Sequence, residues 1–293
     1  MRTLTITVAP EQAGRSVHSL LRRELGMPEG FISALKFRET GVCLNGARCR
    51  TTATVRAGDI LTAEIGDKPA ETGIVPIPYP LTIPYEDEDL LLLDKPAGMA
   101  THGKAEKGDV TAAAALAAYW GTDRAFHPVN RLDRGTSGLM AVAKSGFVHE
   151  KLRRALHTPE FCREYLAICA GTPPEAAGSI TLPLEKDPDV KNRIRVSETG
   201  RPARTDYELV GTRGGLSLVR ARLLTGRTHQ IRVHLAALGC PLAGDVFYGG
   251  PPLIARPALH SHRLALRQPV TGERIERTSP MPEDMETLWK SIR

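Results

Sequence analysis

Apolar residues recur at helical spacing near the start of the chain: Val17, Leu20, Leu21 and Leu25 share one face of GRSVHSLLRREL, residues 14–25. Pro28 opens a second predicted helix, whose apolar face is Phe31, Ile32 and Leu35. The period then shortens to that of strands. Gly41 to Cys49 reads as a hairpin around Asn45-Gly46, and Asp59 to Ile65 as a further strand. Pro69, Pro76, Pro78, Pro80 and Pro84 follow; proline breaks helices and cannot donate to a ladder, so this stretch predicts a linker or an extended edge. The expected division is a small unit over 1–66, a Pro-rich linker over 67–84 and a larger unit over 85–293.

In the larger unit the pattern predicts strands at Leu90 to Leu93, Leu139 to Ala143, Tyr165 to Ala170, Ser179 to Leu184, Tyr207 to Val210 and Leu216 to Leu224. Helices are predicted at Val110 to Tyr119, Phe147 to Leu156 and Thr228 to Leu238. Thr228 is the expected N-cap of the third, and Gly239 its stop. Two last strands, His260 to Gln268 and Glu273 to Thr278, flank a Thr271-Gly272 turn. Strands and helices do not alternate regularly, which argues against a doubly wound parallel sheet. The expected class is α+β: a mixed, largely antiparallel sheet with peripheral helices, preceded by a small α/β unit.

Composition narrows the partners. The 293 residues carry a net charge of +6 and a pI near 9.2, a basic balance that favours polyanions. Arg22, Arg23, Lys36, Arg38, Arg48 and Arg50 decorate the small unit, where the ordinary reading is a solvated face. The N-terminus lacks an apolar signal core, and the richest apolar stretch, Val110 to Trp120, is too short to span a bilayer. No membrane partner is expected. Cys43, Cys49, Cys162, Cys169 and Cys240 form no CxxC pair; they read as scattered thiols of a reducing cytoplasm. No His, Cys and carboxylate cluster has metal spacing, and His260 and His262 read as structural.

The chemistry gathers at residues 127–138, HPVNRLDRGTSG. Asp133 lies between Arg131 and Arg134, whose guanidiniums favour the ionised carboxylate. Gly135 and Gly138 let a backbone or a ligand approach closely. Such a carboxylate serves as nucleophile or base. An isolated R-L-D-R string is more often an ion-paired turn.

This string is not isolated. Asn130 to Gly138 resembles the catalytic motif H-R-L-D-R-x-T-S-G of RluA-type pseudouridine synthases. Leu93 to Gly98 (LDKPAG) resembles that family's N-K-P-x-G segment, Arg163 to Ala167 (REYLA) its K-x-Y-x-A strand, and Thr225 to Leu235 (TGRTHQIRVHL) its third signature. Gly239 to Asp245 and LHSHRLAL also fit. Residues 12–65 resemble the S4 RNA-binding domain. The resemblance implies a cofactor-free enzyme, needing no metal, that converts uridine to pseudouridine in structured RNA. The C1′–N1 bond breaks, the base rotates in its pocket, and it rejoins through C5. Asp133 is then the catalytic aspartate, adding at C1′ or removing a proton at C2′. Arg232 pairs with it, and Tyr165 stacks on the rotating base and serves in removing the C5 proton. Arg131 fills the gap left by the flipped nucleotide, at a flipping cost of a few kcal/mol. Arg134, Thr136 and Gly138 belong to the substrate-binding motif. Arg227, His229 and Gln230, at a helix N-terminus, suit a phosphate or local capping.

Two positions depart from the family: its histidine before R-L-D is Asn130, and its K-x-Y lysine is Arg163. Asn130 keeps hydrogen-bonding capacity but loses an ionisable ring. The alternative reading is a non-catalytic RNA-binding or RNA-folding factor on the same scaffold. A glycosidase would want a second carboxylate as acid, where the motifs supply arginines. Expected partners are RNA, ribosomal rather than transfer, and no DNA; the expected state is a monomer.

Overall fold

The computed structural model describes residues 2–69, 71–103 and 109–291. In the small unit, strand β1 (Thr3–Thr7) precedes helices α1 (Val17–Arg23) and α2 (Glu29–Leu35), then β2 (Val42–Leu44), β3 (Ala47–Arg48) and β4 (Ile60–Glu64). Ser16 caps α1 by accepting the Ser19 N–H, and Pro28 stands at the N-cap of α2. The Asn45-Gly46 turn has φ of 52° and 82°, the left-handed pair that a two-residue hairpin needs. Antiparallel strands in the order β1-β4-β2-β3 form the sheet. The sequence pattern did not mark β1, whose exposure alternates along TLTIT.

The larger unit is built on a ten-stranded sheet. Its main path runs β10 (Ala177–Ile180), β13 (Thr205–Arg213), β14 (Leu216–Leu223), β9 (Cys162–Ala170), β15 (Leu259–Arg267), β8 (Ser137–Ala143), β6 (Leu90–Lys95) and β5 (Thr82–Glu86). β16 (Arg274–Thr278) joins β15, and β7 (His127–Pro128) joins β8. The β15–β8 pair is parallel, and the other pairs of this sheet are antiparallel. Helices α3 (Ala112–Trp120), α4 (Gly146–Ala155), α5 (Gln230–Ala237) and α6 (Glu283–Ser291) lie around it, which is the α+β class expected.

β5, from Thr82, is an edge strand of the sheet and carries Pro84, the extended edge that the proline run allowed. Three expectations need correcting. The strand expected at Ser179 to Leu184 breaks at Pro183; β10 ends at Ile180, and β11 (Leu184–Lys186) pairs instead with β12 (Ile194–Val196). Arg38 is no solvated charge: its Nη1 donates to the Gly66 carbonyl at 2.6 Å and lies 3.6 Å from Glu64. α5 starts at Gln230 rather than Thr228, entered through His229 in the left-handed region at φ 54° without a side-chain cap.

The runs LLLL in β6 and LMAVA in β8 are apolar at every position because both faces are covered. Leu91, Leu93, Met140 and Val142 pack with α3 and α5. Leu90, Leu92, Leu139 and Ala141 pack on the other side with Phe147 of α4, and with Leu20, Leu21 and Ile32 of the small unit. The small unit and the sheet therefore share one core. Phe31 meets Phe147 at 5.2 Å between ring centroids. Arg2 grips buried Asp89 through Nε and Nη2 at 3.1 and 3.2 Å.

Candidate active site

Asp133 lies in the loop that enters β8, and neighbours fix that loop along its length. Thr101 Oγ1 donates to the Leu132 carbonyl at 2.8 Å and accepts the Leu132 N–H at 3.3 Å. Gly98 N–H donates to the Arg134 carbonyl at 2.8 Å, and Thr136 N–H to that of Asp133 at 3.0 Å. Asn130 Oδ1 accepts the Ala141 N–H at 2.8 Å, tying the loop to β8. The residue that departs from the family's histidine thus braces the Asp133 loop as an acceptor. At Gly138, φ is 104° and a Cβ would strike the Ser261 backbone, so the close approach here is that of β15.

Behind the loop, Lys95 is fully buried at the end of β6. Its Nζ donates to the carbonyls of Met99 at 2.8 Å and Pro96 at 2.9 Å. Burial pulls its ammonium down to about 7, against the Asp133 charge that supports it.

The carboxylate of Asp133 is half-buried. Its Oδ2 lies 3.3 Å from Arg232 Nη1 and 3.8 Å from His229 Nε2. Arg232 is itself clamped. Its Nε and Nη2 donate to the two oxygens of Asp245 at 2.7 and 2.8 Å, a bidentate pair. Its guanidinium lies 4.9 Å over the Tyr248 ring. Burial pushes its pKa down, but the bonds to Asp245 and the charge of Asp133 outweigh that and raise it. The Tyr248 hydroxyl is 2.8 Å from His229 Nδ1 and accepts the Ile194 N–H at 3.0 Å. Burial lowers the His229 pKa, which favours the neutral ring. Neither Asp245 nor Tyr248 had been given a role from sequence; the signal was an acid and a tyrosine between glycines in GDVFYGG.

Tyr165, on β9, is 4% exposed and lines the same small cavity as Asp133 and Arg232. Burial raises its phenol, so it stays protonated. Arg131 is exposed and has no hydrogen-bond or ion-pair partner among the described residues. Arg134 turns outward to Asp109 and the Gly98 carbonyl. Thr136 is buried in the pocket wall. Arg227 Nε donates to the Pro202 carbonyl at 3.2 Å. Gln230 is spent on structure. Its Oε1 accepts from the Arg227 N–H at 2.9 Å and the Thr225 hydroxyl at 2.8 Å, and its Nε2 donates to the Arg204 carbonyl at 2.9 Å. These bonds curl residues 225–229 into a tight turn, and the chain therefore enters α5 through His229 instead of through a Thr228 cap. His260 and His262 both reach the Ser279 carbonyl, at 3.2 and 2.6 Å.

The cavity at Asp133 measures about 50 Å³ and shares six wall residues with a cleft of about 530 Å³.

An aspartate–arginine pair beside a buried tyrosine, at the mouth of a basic cleft, suits a reaction at a sugar carbon next to a flat base. The profile of the RNA pseudouridylate synthase family matches residues 89–237, the span that holds this constellation. The chain belongs to that family. It is 33% identical over 271 residues to the uncharacterized RNA pseudouridine synthase YjbO of Bacillus subtilis, covering 91% of this chain and 96% of that protein. It is 34% identical over 314 residues to ribosomal large subunit pseudouridine synthase D of Escherichia coli, covering 99% and 94%. The solved structure of human RNA pseudouridylate synthase domain containing 1 superposes with a TM-score of 0.56 at 26% identity, over 69% of this chain and 83% of that one. The protein is thus a pseudouridine synthase, an isomerase acting on uridine in RNA. Among its described residues no helix is long and apolar enough to cross a membrane.

Proposed function

We propose that this pseudouridine synthase works through Asp133, and that its substrate is a flipped uridine of ribosomal RNA. The observation that carries the reading is the ion pair from Asp133 to Arg232, with Arg232 held from behind by Asp245. An arginine fixed this way keeps the carboxylate charged and aimed, whether it adds at C1′ or takes the C2′ proton. Tyr165, neutral and buried, provides a flat wall for the detached uracil while it turns to present C5. Arg131, exposed and unengaged, is free to enter the gap the uridine leaves. Arg227 and His229 flank the entrance, with a phosphate as their natural contact. Arg134, Thr136 and Gly138 build the walls. The ribosomal assignment is supported by the printed target of the Escherichia coli relative. The unit over 1–66 is read as an S4-like RNA-binding unit, the enzyme as a cytoplasmic monomer.

Pseudouridine mapping of total RNA, by a chemical adduct that stops reverse transcription, tests this. Cells with the wild-type protein, without it, and with Asp133→Asn are compared. Sites lost in both altered strains establish Asp133 and name the RNA. Sites retained with Asp133→Asn but lost on deletion overturn the role of Asp133. A lost site outside ribosomal RNA overturns the assignment of target.

A further inference from the structure

The cleft of about 530 Å³ beside the catalytic cavity holds features that the isomerisation of one uridine does not use. Its described walls carry five arginines, Arg131, Arg134, Arg153, Arg163 and Arg227, against one carboxylate, Asp133. Arg134 and Arg153 are engaged by Asp109 and Glu150. Arg163 is different. It is 2% exposed, and no carboxylate among the described residues pairs with it. Its Nη2 donates to the Leu156 and Leu223 carbonyls at 3.1 and 3.3 Å, but its buried Nε has no partner among the described residues. Asn130, 5% exposed and in the same walls, likewise leaves its buried Nδ2 without an acceptor among the described residues. Buried charges are normally paired, and buried donors are normally satisfied. The two donors are sealed from water, so it is the uncompensated guanidinium, among five arginines lining one cleft, that calls for a ligand bringing negative charge. Gly226 lies close against the guanidinium: a Cβ built there would stand 3.0 Å from Arg163 Nη1.

We propose that the cleft between Asn130 and Arg163 receives a backbone phosphate of the RNA strand adjoining the uridine held at Asp133, with Arg163 as its anchoring charge. This rests on the reading of the Asp133 cavity as the uridine site. The six shared wall residues, Asp133, Tyr165 and Arg131 among them, make the cavity and the cleft one continuous space, as a strand with one flipped nucleotide requires. Asn130 and Arg163, the two departures from the family motif, both face this subsite.

The test measures binding of a short single-stranded oligouridylate to the full-length Asp133→Asn protein, which separates affinity from turnover. Arg163→Met should weaken binding about ten- to a hundredfold and reduce the log–log salt slope by about 0.7. Arg163→Lys should keep the slope. Lys290→Met, outside the cleft, is the charge-loss control and should leave affinity unchanged. Gly226→Val keeps the charge but crowds the guanidinium, and should also weaken binding; it decides the matter if Arg163→Met does not fold. A folded Arg163→Met protein with unchanged affinity and slope overturns the proposal, as does unchanged affinity in Gly226→Val. A lower melting temperature with RNA affinity unaltered would mark Arg163 as a strut only. If the wild-type protein fails to isomerise uridine while the Arg163 effect on binding appears, the catalytic reading falls and the phosphate subsite stands.

Discussion

Arg232 on α5 lines the Asp133 cavity and Arg163 on β9 the adjoining cleft, and both are nearly sealed from water, at 8% and 2% exposure. Arg232 touches two carboxylates, Asp245 in a bidentate pair and Asp133 at 3.3 Å. Arg163 touches two carbonyl oxygens and no carboxylate among the described residues. The difference is one of employment. On the proposed function, Arg232 orients Asp133 and has to be in place before substrate arrives, so the protein supplies its counter-ions, whereas Arg163 awaits the strand. A charge that is to meet a polyanion is most useful with its counter-ion missing, because desolvation has already been borne by the fold.

The contrast breaks most visibly in stability. Arg232→Met strands the buried carboxylate of Asp245 and should cost about 3–5 kcal/mol. Arg163→Met removes an uncompensated buried charge along with two hydrogen bonds, and should change stability by about 1 kcal/mol or less. Urea unfolding of the two variants checks this, and equal losses would dissolve the distinction. A smaller effect is expected from Asp245→Asn, which leaves Arg232 in place but weakens its grip. One charged hydrogen bond is worth about 1.5–3 kcal/mol, so single-turnover isomerisation should fall roughly ten- to a hundredfold. An unchanged rate would show that Asp133 alone suffices to orient Arg232.

A third buried cation, Lys95, is held by carbonyls and lowered to about 7 from an ordinary value of 10.5. Between those values the unfolded chain binds a proton that the folded protein does not, so this group's contribution makes stability rise with pH. Below 7 both states are protonated and the contribution is flat at its least favourable level. The rise amounts to at most about 1.4 kcal/mol per pH unit. Comparing the wild-type protein with Lys95→Met across pH 7 to 10 isolates it. Parallel stability curves would mean that the carbonyl cradle keeps the ammonium charged in the fold.

Much of this was legible along the chain, and the reasons differ by element. β6 and β8 announced themselves as apolar runs, and Asn45-Gly46 as a turn only left-handed residues make. Asp133, Tyr165 and Arg232 came from motif resemblance, and the fold brings them to one cavity. Gln230 stayed open between a ligand and local capping because an amide at a helix start looks the same either way; in the fold it bonds its own loop. Asp245 was missed because its partner lies 13 residues away, across a turn that no periodicity marks. The orphan donors of Asn130 and Arg163 could not be seen at all: a missing partner exists only once every neighbour has been placed.

The core shared by the small unit and the sheet has a consequence in time. Leu20 and Leu21 are packed in a cluster that is closed by Leu264, Leu266 and Ile275, more than 200 residues downstream. At a synthesis rate of ~5–20 residues per second, those last strands follow the first helices by roughly 12–50 s. For that interval the cluster stays incomplete, and its closing waits on strands made near the end of the chain.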